Sequence, residues 1–276
     1  MKKKVFLVIA LIVVALVVLY GPNTNTGTKG LIYATVDNSY VVVGYGGSEI
    51  DITIPDTYND IPVTAVEAYA FEDSQIQSVV FGKNLTQIGE GAFVNASSLQ
   101  SVTFTAEGIY METDPFKGCS SLTDIVFVRD AYVASADFSE CDALVEVSFP
   151  EGLTSLRMCD CNGLTTVELP DGMKSLVGVS GCSSLTSIPL PDSLIEIEES
   201  AFVGCSSLNT TAIPASVTYV GEGAFEGFTS NQKIFIEGST DGWQEATTSN
   251  YQSYYGENDG SWDSGCDAQI TYLNAN

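Results

Sequence analysis

The sequence predicts a β-rich repeat solenoid of about eight coils, each 20–23 residues long. Three observations predict it. The pentapeptide GCSSL occurs three times, at 118–122, 181–185 and 204–208. Its leucine belongs to a column of apolar residues, Ile76, Leu99, Leu122, Leu144, Leu164, Leu185 and Leu208, spaced by 23, 23, 22, 20, 21 and 23 residues. Six residues before each of these stands a second apolar position: Ala70, Phe93, Phe116, Phe138, Met158, Val179 and Phe202, with Phe225 continuing the series. In the first repeat the phenylalanine is displaced by one place, to Phe71. A unit this short cannot bury its apolar positions alone, but stacking in register makes one continuous core from them.

In chain order, the first element is a membrane signal. Lys2, Lys3 and Lys4 precede residues 5–19, VFLVIALIVVALVVL, in which thirteen of fifteen residues are Val, Leu, Ile or Phe. Inserting that run into a bilayer gains roughly 4 to 8 kcal/mol, and the preceding lysines orient the N-terminus to the cytoplasm, so the rest of the chain is exported. No small-x-small cleavage pattern follows the run, which favours a retained anchor at residues 1–20 over a cleaved signal peptide. As a helix, fifteen residues reach only about 23 Å, short of a ~30 Å hydrocarbon core. Lysine snorkelling and an interfacial Tyr20 would make up the difference. Residues 21–30, GPNTNTGTKG, read as a flexible linker. Residues 31–62 read as an N-terminal cap opening with a β-hairpin, 63–233 as the solenoid and 234–276 as a C-terminal cap. The aromatic residues of that last segment, Trp243, Tyr251, Tyr254, Tyr255, Trp262 and Tyr272, are expected to plug the last coil.

Composition narrows the function. The chain carries 35 acidic and 10 basic residues and no histidine, a net charge of −25. That surface repels phosphate backbones and anionic lipid, so neither nucleic acid nor a lipid surface met through a basic patch is an expected partner. Without histidine there is no Ser-His-Asp triad, no Cys-His pair and no His-ligated metal site. No metal, cofactor or catalytic residue is expected.

The coil grammar is plain in LTSIPLPDSLIEIEESAFVGCSS, residues 185–207. Ile188 and Leu190 alternate with Ser187, Pro189 and Pro191, a period of two that predicts a short strand. Leu194 and Ile197 form a second apolar pair, and Ala201-Phe202 leads into the polar turn at Cys205. Residues 76–98 and 208–230 fit the same frame. This grammar, in Ile213-Pro214-Ala215-Ser216-Val217 through Ala224-Phe225 and in Ser200-Ala201-Phe202-Val203-Gly204-Cys205-Ser206-Ser207-Leu208, resembles the BspA-like (Treponema-type) leucine-rich repeats of bacterial surface proteins. The resemblance spans roughly residues 31–240. It implies a right-handed leucine-rich-repeat array with one parallel sheet and N- and C-terminal caps. It also implies surface display, with adhesion or ligand binding in place of catalysis. The match weakens in the middle, where the Leu144 and Leu164 repeats are 20 and 21 residues long and lack Ala-Phe, and where 107–114 and 129–137 depart from the pattern. Shortened coils there are expected to change the curvature.

Seven cysteines invite a disulfide or metal reading in an exported protein. Five of them, Cys119, Cys141, Cys161, Cys182 and Cys205, fall three residues after the phenylalanine column, where Ser74, Ala96 and Phe228 stand in other repeats. A ligand position does not accept alanine or phenylalanine, whereas a small buried packing position does.

The outward strand positions lie two and four residues after each column leucine. At the flanks they are small or hydroxylated, and in the centre they are Asp124/Val126, Glu146/Ser148 and Thr166/Glu168. Asp124, Val126, Glu146, Ser148 and Glu168 are therefore the candidate ligand-binding residues, with a protein or cell-surface ligand as the expected partner. Two alternatives stay open. One is a passive surface spacer. The other is a parallel β-helix polysaccharide enzyme using Glu146 and Glu168 as paired carboxylates one coil apart, with Cα atoms about 5 Å from each other.

Overall fold

The computed structural model describes residues 27–128, 133–238 and 263–273. The apolar run 5–19, most of the linker, and Trp243, Tyr251, Tyr254, Tyr255 and Trp262 lie outside the described residues. Within them there are strands and turns and no helix; none is therefore long and apolar enough to cross a membrane. The coils stack as a β-solenoid in the expected phase.

All but one of the described coils contribute two strands, so the single expected sheet is in fact two strand ladders. The long ladder contains the second apolar pair of each coil. It begins with an antiparallel hairpin, Leu31–Val36 with Ser39–Tyr45. It continues in parallel through Ile61–Val66, Gln87–Ile88, Ile109–Met111, Val133–Asp137, Ser155–Arg157, Ser175–Gly178, Glu196–Ile197 and Tyr219–Val220. The other ladder follows the column leucines and is broken into three: Asp51–Ile54 to Asp124–Phe127, then Glu146–Ser148 with Thr166–Glu168, then Thr210–Ile213 with Lys233–Ile236 and Gln269–Tyr272. Carrying one coil to the next on two faces pairs more of the backbone than one sheet would, which a buried main chain requires.

The strand expected at 187–190 does not form; only a bridge from Thr166 to Ser187 remains. Pro189 has no N–H to donate to the preceding coil, and proline is excluded from a strand paired on both edges. At the other break, the coil that begins at Leu122 has two extra residues. The inward residue of the long ladder follows the last inward residue of the other ladder by seven positions in Phe104–Met111 and Phe149–Leu156, but by nine in Phe127–Ala136. The excess shifts the register at Val133/Ser135 and leaves Asp124–Phe127 unpaired with Glu146–Ser148.

The shortening of the central coils has one location. From the long ladder to the phenylalanine column, full coils use five residues, as in Ile88–Phe93 and Ile197–Phe202. The central ones use two in Ala136–Phe138 and Leu156–Met158, and three in Leu176–Val179. What is missing is the turn that carries the buried alanine of Ala-Phe, so the strand runs directly into the column. Asp137 then fills an acceptor position that the turn would have supplied: its carboxylate accepts the Asp114 N–H at 3.2 Å and the Ser139 hydroxyl at 2.8 Å.

Two phenylalanine ladders fill the core. The expected one stacks Phe71, Phe93, Phe116 and Phe138 with ring centroids 4.8, 5.1 and 5.1 Å apart. Met158 and Val179 interrupt it, and Phe202–Phe225 resumes it at 5.1 Å. A second, five residues after each column leucine, stacks Phe81, Phe104 and Phe127 at 5.2 and 5.1 Å. The two ladders meet edge to face, as in Phe81–Phe93. Each buried ring contributes roughly 1.5–3 kcal/mol, and each pair about 0.5–1.5 kcal/mol more.

The N-terminal cap closes on Tyr33, Tyr40 and Tyr58, with Tyr33 stacked on Tyr58 at 4.2 Å. Thr28, at the end of the expected linker, is already docked: its N–H donates to the Thr53 carbonyl at 3.0 Å. At the other end the strand Lys233–Ile236 continues the solenoid past the expected cap boundary and pairs with Gln269–Tyr272. Tyr272 is 49% exposed and plugs nothing.

Candidate functional site

The expected alternation holds on the segmented ladder. Three and five residues after each column leucine the side chains face the core, as Val79/Phe81 and Val102/Phe104 do. Asp124, Val126, Glu146, Ser148 and Glu168 all lie exposed on the outer face.

Register decides which of them meet. Ser148 stands directly opposite Glu168, and Glu146 opposite Thr166. Glu146 and Glu168 are therefore diagonal neighbours, about 7–8 Å apart by ladder geometry, and not the ~5 Å of a directly stacked pair. Asp124 and Val126 belong to a different sheet segment, across the break. The five residues thus form two groups, and the break between them is part of the site. Asp124 accepts a hydrogen bond from the Thr123 hydroxyl at 2.6 Å. Among the described residues no ion pair reaches any of the three carboxylates.

Sequence reasoning named Val126 but missed the two valines near it. Val145 is 55% exposed and Val128 38%, beside Val126 at 44%. Positions one and six residues after a column leucine had been assigned to no face. The result is a mixed surface of valines and carboxylates at two open strand edges. Such edges are the usual place where another polypeptide pairs.

The chain matches the model of the BspA type leucine-rich repeat region, in six copies, over residues 64–178 and 158–253. Together these ranges cover 64–253, 190 of 276 residues. The chain belongs to this family. Among solved structures it is similar to the leucine-rich repeat protein TpLRR of T. pallidum, at 26% identity and TM-score 0.57, covering 67% of this chain and 91% of that one. A leucine-rich repeat protein from Bacteroides ovatus shares the fold at 22% identity and TM-score 0.60, covering 89% of this chain and 76% of that one. No curated protein matches the sequence.

In this BspA-type array the GCSSL motif is a corner. Its glycine position takes a left-handed backbone in every coil: Asp73, Asn95, Gly118, Glu140, Asp160, Gly181, Gly204 and Gly227 have φ between 54° and 82°. Left-handed φ is why glycine recurs there. Lys117 braces one of the non-glycine corners, with Nζ 3.2 Å from Glu140 and 3.6 Å from Asp114. The hydrogen bond to Glu140 raises the lysine's pKa.

All seven cysteines are free, and the five of the column are buried. They do more than fill space. Cys119, Cys141, Cys161, Cys182 and Cys205 donate their thiol hydrogens to the main-chain carbonyls of Phe93, Phe116, Phe138, Met158 and Val179, at 3.0 to 3.5 Å. Each acceptor is the phenylalanine-column residue of the preceding coil, so the thiols tie coil to coil. Burial pushes Cys119 and Cys205 up to about 12. Burial also holds Cys141 far above its usual value, and a hydrogen bond with Cys182, then burial, does the same for Cys161. These thiols stay protonated, and the nucleophile and metal ligand is the thiolate.

Proposed function

We propose that this chain is an exported, membrane-anchored BspA-type repeat protein that binds a protein or cell-surface ligand through the outer face of its segmented ladder. The apolar run behind three lysines supports export and anchoring, with a cleaved signal as the other route to the cell surface. The observation that carries the binding reading is the mixed patch at the first break. There Val126, Val128 and Val145 stand exposed among Asp124, Glu146, Ser148 and Glu168, on strands with open edges. Such a patch offers apolar area, carboxylates for orientation and main-chain groups for pairing. The solenoid acts as a rigid display surface: a composition without histidine provides no Ser-His-Asp triad and no Cys-His pair, and burial keeps Cys119 and Cys205 protonated.

The test is capture of the full chain, in detergent, on intact cells of neighbouring species or on a protein array. Saturable binding that falls at least tenfold in the Asp124→Ala, Glu146→Ala, Glu168→Ala triple variant supports the patch. Binding unchanged in that variant places the ligand elsewhere, and no saturable ligand at all leaves a passive spacer.

A further inference from the structure

The second break in the segmented ladder differs from the first. Between Ser187–Leu190 and the strand Thr210–Ile213 there is a cleft of about 230 Å³, lined by Ser187, Pro189, Asp192, Thr210, Thr211 and Ala212 among others. Pro189 and Pro191 prevent a strand on one wall. The other wall is a regular strand with one edge unused. Its Asn209 and Ile213 carbonyls accept from Lys233 and Glu237 of the next coil, at 2.9 and 3.1 Å. Alternate residues of a strand point their main-chain groups to opposite edges, so Thr210 and Ala212 direct theirs at the cleft. No main-chain hydrogen bond joins them to residues 186–190.

One further feature marks the cleft as a place for a ligand. The lining includes the carboxylates of Asp192 and Glu237 and no basic residue, in a chain of net charge −25.

We propose that this cleft binds an extended, cationic peptide segment. Its main chain pairs with the open edge at Thr210 and Ala212, and a lysine or arginine side chain reaches Asp192. Strand addition to an open edge takes its affinity from the main chain and its selectivity from alternate side chains. Neither export nor the valine–carboxylate patch of the first break is needed for this, so the two readings stand or fall separately.

The probe is a capped pentapeptide alternating valine and lysine, titrated into the full chain in detergent, with the valine–glutamate peptide as control. Saturable binding of the lysine peptide alone is expected, with slowed amide exchange at Thr210 and Ala212. Ala212→Pro removes a donor that the fold does not use and weakens binding about tenfold. Asp192→Asn, an exposed change that keeps the fold, weakens it several-fold and decides the matter should the proline variant misfold. The Asp124→Ala, Glu146→Ala, Glu168→Ala chain binds the peptide normally. The proposal is overturned by equal binding of the glutamate peptide, by no saturable binding, or by binding indifferent to Asp192→Asn. It is equally overturned if the Thr210 and Ala212 amides are already protected in the free chain, because the cleft is then filled by the chain itself.

Discussion

The corner glycine shows how one residue is set by backbone geometry. Gly227 has φ of 82°, and a Cβ there would meet nothing within 4 Å. Gly227→Ala therefore isolates the left-handed penalty, about 1–2 kcal/mol, readable as a lowered urea midpoint. Gly181→Ala costs more, because its Cβ would overlap the Asp160 carboxylate of the preceding corner. The cysteine next to it is fixed by different physics. With the five column thiols buried and hydrogen-bonded, a thiol reagent applied to the native chain labels Cys159 and Cys266 only, and all seven react after denaturation. Labelling of a column cysteine in the folded chain would contradict the coil-to-coil bonding. Asp137 carries a pH signature. Burial raises its pKa despite its hydrogen bonds. The folded state thus holds that proton more tightly than the unfolded chain does. Its stabilisation is complete below the ordinary carboxylate value and is lost as pH rises through the folded pKa. Compared with the Asp137→Asn variant, wild type loses relative stability as pH rises above about 4, measured by urea unfolding at each pH.

At the scale of elements, the spacing of apolar residues identified each coil, and proline decided where a strand failed. The alternation Ile188–Leu190 reads as a strand, and both side chains do face inward, but Pro189 removes the donor that would secure it. Pro189→Thr restores an N–H beside the Val167 carbonyl, and we expect a protected amide at 189 and a gain of about 0.5–1 kcal/mol. Absence of that protection would mean that the break has another cause. The second phenylalanine ladder was present in the sequence at a fixed offset from the column leucines. It was overlooked because Leu169, Leu190, Ile213 and Ile236 continue it without aromatics. The register of Glu146 against Thr166 was legible too, since each lies two residues after its leucine. What no spacing revealed was that the coil beginning at Leu122 places two extra residues before the long ladder and then drops three after it. Its total length stays near the norm, so the compensation is hidden from any count between column residues.

At the scale of the whole molecule, stability is spread along one axis. Each coil contacts only its neighbours, so damage at the centre separates two otherwise sound halves. Phe116 stacks between Phe93 and Phe138 and meets Phe81 and Phe104 edge-on. Phe116→Ala is expected to cost about 3–5 kcal/mol and to broaden the unfolding transition as the halves uncouple. Phe225→Ala, near the end, should instead loosen the last coils and leave the first ones protected from amide exchange. The sequence by itself determined the family, the number and phase of the coils, the inward columns and the packing role of the cysteines, because each of these is a one-dimensional periodicity and every coil repeats the same local contacts. Only the tertiary structure decided that the backbone pairs on two faces, that one ladder breaks twice, and that valines and an unused strand edge are exposed at those breaks. These depend on whether residues more than twenty positions apart come into register, and a shift of one or two residues, silent in the coil period, is enough to open an edge.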